Sequence, residues 1–107
     1  MKTPVYLIAD AERDVMGLYR YVAAHDSVDK ADMLLDHIEA AIFRLGSMPR
    51  RGHVPCELER IGVFEYREIV FKSYRIIYQI LERGVFIHCV LDGRRNLQDI
   101  LFERLVR

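Results

Sequence analysis

Near Phe64 the apolar pattern of this chain changes its period. Before that point apolar residues recur at helical spacing, and after it they alternate as on a pleated strand. A helical part and a strand part that each present one apolar face must bury those faces against one another. The helical part is clearest in Ala31, Leu34, Leu35, Ile38, Ala41, Ile42 and Leu45, which form one continuous stripe. Ser27 reads as the N-cap of that helix, Gly46 as the residue beyond its end and Pro49 as a stop. An earlier segment, with Asp10 as its cap, places Val15, Leu18, Tyr19 and Val22 on one face. The short break at His25-Asp26 predicts an antiparallel helical hairpin.

The strand part begins at Glu65. Glu65 to Phe71 reads as a strand, Lys72-Ser73 as a tight connection and Tyr74 to Leu81 as a second strand. Glu82-Arg83-Gly84 turns into a third, Val85 to Leu91, which completes an antiparallel meander. Val5-Tyr6-Leu7-Ile8-Ala9 reads as a strand ahead of the hairpin. Asn96 caps a last short helix with Leu97, Ile100, Leu101 and Leu105 on one face. Met48 to Gly62, with two prolines and two glycines among charged residues, reads as a loop. The expected order is β-α-α-β-β-β-α, an α+β domain with the hairpin packed on a small antiparallel sheet.

At 107 residues the chain has room for one domain, residues 1–107. Its 51% hydrophobic and 30% charged content excludes disorder as the main state. Sixteen basic and sixteen acidic residues give zero net charge, which argues against a generic nucleic-acid coat but permits a local basic patch. Cys56 and Cys89 lie far apart, as expected of free thiols in a reducing cytoplasm. The four histidines show no metal-ligand spacing, so neither metal nor cofactor is expected. No apolar run approaches membrane-spanning length, and no membrane partner is expected.

The chemistry-bearing residues cluster in the second half: Tyr66-Arg67-Glu68-Ile69, then Tyr74-Arg75-Ile76-Ile77-Tyr78, then Asp92-Gly93-Arg94-Arg95-Asn96. Strict alternation puts Val85, Ile87, Cys89 and Leu91 on one wholly apolar face, toward the helices. It leaves open whether Arg67 and Arg75 meet across neighbouring strands. Arginine's planar fork suits phosphate and carboxylate, so the set can form a basic surface for an acidic target. It can equally form internal ion pairs, Arg67 with Glu65, Glu68 or Asp92, and Arg94 or Arg95 with Asp99 or Glu103. His88 stands inside a strand, where it could act as a general base but fits a structural residue better, since no carboxylate or nucleophile is placed beside it in the pattern. Tyr66, Tyr74 and Tyr78 fit a core or a sheet edge better than base stacking. Cys89 reads as a core thiol, and Cys56, in the loop, as the accessible one.

In this order and spacing, these motifs resemble the RelE/ParE toxin superfamily, in its ParE-like branch. The resemblance runs from Leu45-Gly46-Ser47-Met48-Pro49 through Glu57-Leu58, Tyr66-Arg67-Glu68 and Tyr74 to Tyr78, to Asp92-Gly93-Arg94-Arg95-Asn96-Leu97-Gln98. It implies the toxin component of a type II toxin–antitoxin system, with DNA gyrase as target, acting by binding rather than catalysis. It also implies a cognate antitoxin, hence a hetero-oligomer in the cytoplasm. For the target the resemblance singles out Arg94 and Arg95, then Arg67 and Arg75. For the antitoxin it points to the hairpin, at Leu18, Val22, Leu34 and Ile38. The alternative within the superfamily is a ribosome-dependent mRNA endonuclease, for which Arg67, Arg75 and His88 would be the catalytic set. The RNases carry a histidine or tyrosine near the C-terminus, and here none follows His88. A further alternative is an inactive relative that binds antitoxin and serves operon autoregulation.

Overall fold

A computed structural model describes residues 2–106 of the chain. A short strand β1 (Val5–Leu7) leads into α1 (Ala9–His25) and α2 (Val28–Arg44). After a 3₁₀ turn (Pro49–Arg51) and a one-turn helix α3 (Cys56–Glu59) come β2 (Tyr66–Phe71), β3 (Tyr74–Leu81) and β4 (Gly84–Asp92). The described chain closes with α4 (Gln98–Leu101) and a π-helical turn (Phe102–Val106). The segment expected to be one long loop therefore contains two helical turns.

The sheet order is β1-β4-β3-β2. β2, β3 and β4 form the expected antiparallel meander, but β1 pairs with β4 in parallel, from Val5 opposite Val85 to Leu7 opposite Ile87. The sheet is mixed for a simple reason. The hairpin of α1 and α2 between β1 and the meander lets β1 return in the same direction as β4.

Ser27 caps α2, its hydroxyl accepting from the Lys30 N–H at 3.1 Å. Asp10 does not cap α1. That helix starts at Ala9, with Ile8 in the cap position and no side-chain cap, so Asp10 sits inside the first turn. There its charge still favours the positive helix end. Gly46 follows α2 without a left-handed backbone. Its small size is needed because a Cβ there would stand 2.8 Å from the Thr3 carbonyl oxygen.

Two cores lie on opposite faces of the sheet. On the hairpin side, Ala11, Ile38, Ala41, Ile42 and Leu45 meet Ile69, Ile76, Tyr78, Val85, Ile87 and Val90. On the other side, Leu58, Leu97 and Leu101 meet Tyr66, Ile77, Cys89 and Leu91. The α2 stripe read from the sequence is thus the one that packs. The alternation read for β4 is not. A bulge displaces the register between Ile77 opposite Cys89 and Tyr78 opposite Ile87, leaving His88 as the extra residue. Beyond it the faces exchange, so Cys89 and Leu91 belong to the core under α4 and Val90 to the core under the hairpin.

Candidate functional site

The strand arginines divide between the two faces. Arg67 lies opposite Tyr78, and Ile69, on the same side of β2, packs in the hairpin core. Arg75 lies opposite Val70, on the side of Glu68 and Ile77. The two arginines therefore do not meet across the strands, because they stand an odd number of positions apart in register. Arg67 donates to the carbonyls of Gly52 (2.7 Å) and Arg50 (3.3 Å). Tyr78, fully buried, donates its hydroxyl to the Pro49 carbonyl at 2.7 Å and accepts from the Gly52 N–H at 2.9 Å. Together they fasten the 3₁₀ turn to the sheet.

Arg75 is engaged by two carboxylates. Its terminal nitrogens donate to both oxygens of Glu57, at 2.7 and 2.8 Å, and its Nε to Glu68 at 2.6 Å. The Arg75 side chain is 14% exposed and that of Glu68 6%. The hydrogen bonds from Arg75 hold the Glu57 carboxyl down at about 2, and the same bonds push Arg75 further above its ordinary value. His53 Nε2 approaches the other Glu68 oxygen at 3.1 Å. The sequence missed Glu57 as the partner, since the pair spans the loop and α3.

His88 occupies the bulge. Its Nε2 lies 3.2 Å from Gln79 Oε1, and its ring meets Tyr66 edge-on with centroids 5.3 Å apart. Burial, aided by Arg104, lowers its pKa and favours the neutral ring. Arg67, Arg75 and His88 do not converge on one point. The first fastens a loop on one face, the second is held by carboxylates, and the third is seated in the bulge.

The end of β4 is arranged differently. β1 stops at Leu7, so the outer edge of β4 continues without a strand beside it. Asp14 of α1 fills the first vacancy, its Oδ2 accepting from the Val90 N–H at 2.9 Å. Arg104 holds both Asp14 oxygens at 3.0 Å and donates to the His88 carbonyl at 2.7 Å. Burial raises the Asp14 pKa against these opposing contacts. This bracket of α1, the bulge and the terminal segment carries no sequence signature, because its members lie 16 to 90 positions apart.

Beyond Asp14 a groove of about 480 Å³ opens between α1 and the last residues of β4. Arg13, Arg94 and Arg95 line it, with Asp92 and Tyr21. Arg94, whose side chain is 71% exposed, pairs with Asp92 at 2.7 Å and holds that carboxyl below its usual range. Arg95 is exposed, and its guanidinium carries no hydrogen bond or ion pair among the described residues. Gly93 sets the arginines at this corner, since a Cβ there would lie 2.7 Å from the Ser73 carbonyl oxygen. Gly17 also lines the groove. It sits mid-helix, where glycine costs about 1 kcal/mol relative to alanine. No neighbouring atom calls for its small size, because a Cβ added there would meet nothing within 4 Å.

Of the hairpin residues assigned to the antitoxin, Ile38 is fully buried, while Leu18, Val22 and Leu34 keep part of their surface. Cys56 is exposed and Cys89 buried, and burial pushes the Cys89 thiol up to about 12. No described helix is long and apolar enough to cross a membrane.

Residues 5–97 match the family model for the ParE toxin of the type II toxin–antitoxin system parDE. Toxin ParE3 of Caulobacter vibrioides is 32% identical over 84 residues, 78% of this chain and 80% of that protein. The fold is similar to a solved structure described as the chromosomal ParDE TA system from P. aeruginosa. The TM-score is 0.69 at 12% identity, covering 83% of this chain and 94% of that one. A match across this much of the chain, with a relative at this identity, places the protein in the ParE toxin family of type II toxin–antitoxin systems.

Proposed function

We propose that this ParE-type toxin inhibits DNA gyrase by binding it through the corner formed by Arg94 and Arg95, and that a cognate antitoxin holds it inactive. The observation that carries the site is the contrast among its arginines. Arg67 and Arg75 spend their donors inside the molecule. The Arg95 side chain keeps all of its donors, and Arg94 is committed only to Asp92, two positions back on the same turn. An unpaired guanidinium beside a groove is where an acidic target gains most from a planar fork. The action is stoichiometric binding, in the cytoplasm where gyrase and DNA are found. The scattered positions of Arg67, Arg75 and His88 favour this over RNA cleavage, which needs its acid, base and charge stabiliser around one phosphate.

An antitoxin partner is supported by the match to the family of parDE toxins. Its contact belongs on the hairpin surface, at Val22 and Leu34 and the outer part of Leu18, with exposed Met33 beside them. The test is a gyrase supercoiling assay with purified, antitoxin-free protein. The parent protein should block supercoiling and accumulate cleaved DNA. Arg94→Ala with Arg95→Ala should weaken inhibition by roughly tenfold or more, as expected for interface arginines, with antitoxin affinity little changed. Equal inhibition by parent and double variant removes the two arginines from the site. A folded protein without effect on gyrase that cuts mRNA on ribosomes establishes the endonuclease instead.

A further inference from the structure

The groove beside Arg95 has an open strand edge along one wall. Gly93 donates its N–H inward, to the Ser73 carbonyl at 2.6 Å, while Val90 donates outward, to Asp14. Alternation along the strand then points the Val90 carbonyl and the Asp92 N–H outward too, away from β3. The opposite wall is α1, opened by Gly17, with Leu18 on the same helix and Val90 across the groove, while the Leu91 side chain turns into the core under α4. Backbone hydrogen-bonding groups, an apolar lining and a free cation are the three elements that recognise an extended peptide segment.

Resting on the gyrase reading above, we propose that this groove receives a short extended segment of gyrase itself. The segment pairs its backbone with the outer edge of β4 and lays an apolar side chain over Gly17. An adjacent Asp or Glu meets Arg95. Charge decides between peptide and DNA here. Asp14 and Asp92 both line the groove, and a phosphate backbone would run past two carboxylates with no use for an outward carbonyl. A peptide with a single acidic residue has a partner for each group. Arg104 and Arg94 already hold the two carboxylates, which leaves Arg95 as the open cation. Gly17 is then a binding residue, kept small for what enters from outside.

The test compares Gly17→Ala, Gly17→Met and Arg95→Glu with the parent protein in supercoiling inhibition and in direct binding to purified gyrase. Gly17→Ala should raise the thermal midpoint by about 2–6 °C, since alanine is the better helix former. Gly17→Met projects into the groove from a position whose Cβ meets nothing within 4 Å and should bind gyrase at least about tenfold more weakly, while melting no lower than the parent. Arg95→Glu should lose a similar factor, and binding of all three to the antitoxin should stay within about twofold of the parent. Parent-like inhibition by Gly17→Met, from a parent that does inhibit gyrase, overturns the groove and leaves the gyrase reading standing. Loss of antitoxin binding in Gly17→Met assigns the groove to the antitoxin and overturns the proposal. So does binding of free duplex DNA with the same Gly17 sensitivity. A parent without effect on gyrase removes both readings together.

Discussion

Arg75 places one guanidinium between two carboxylates, Glu57 and Glu68, with little water around any of them. Such a cluster is costly to break, because removing one member leaves charge in a poorly solvated place. It also makes stability depend on acid. The folded Glu57 carboxyl is held at about 2 against an ordinary 4.5. Its contribution is complete above pH 4.5 and is lost as pH falls toward 2. Glu57→Gln should therefore lower stability by about 2 kcal/mol at pH 7. That deficit should shrink toward zero near pH 2, as read from denaturant midpoints across this range. A deficit constant with pH would mean that packing, not charge, is what Glu57 supplies. The sequence showed Arg75 as a functional candidate and Glu57 as part of a motif, with no hint that the two would pair, since ion-pair partners follow chain folding rather than local pattern. Arg94 shows the same limit, since it pairs with Asp92 on its own turn, a partner that the sequence reading did not name.

β4 and the terminal segment act as a pair of elements. α4 is a single turn, too short to persist alone, and it is held by Leu97 and Leu101 in the core that also buries Cys89. Leu101→Ala should cost about 2–4 kcal/mol and quicken labelling of Cys89 by a thiol reagent under native conditions. In the parent, Cys56 should react at once and Cys89 only on opening. Unchanged Cys89 labelling in a destabilised Leu101→Ala protein would show that α4 is not the cover. The terminal helix was legible from its apolar spacing, and its seat was not. Which face of β4 it covers is decided by the bulge, and strict alternation assigned Cys89 and Leu91 to the wrong side. A bulge of this kind leaves no mark in an apolar run such as Val85 to Leu91 beyond one polar residue, His88.

At the scale of the molecule, both cores share the same strands. Ile76 and Tyr78 face one way from β3 while Ile77 faces the other, so neither core persists without the sheet. Thermal unfolding should then be one transition, with loss of helical circular dichroism and exposure of Cys89 at the same midpoint. Earlier exposure of Cys89 would mean that the α4 side opens separately. The element order and the α2 stripe were readable because periodicity survives folding unchanged. The parallel placement of β1 was not, because three residues cannot declare their partner. The bulge has one more consequence. Deleting His88 would return β4 to plain alternation while keeping Ile87 and Val90 on one face and Cys89 and Leu91 on the other. The fold therefore tolerates a change of length at this point in a central strand, where an insertion ordinarily turns the interior outward. A relative without the bulge has to be aligned with a one-residue gap at His88, and an ungapped alignment would pair positions of one core with positions of the other from there to the end of the strand.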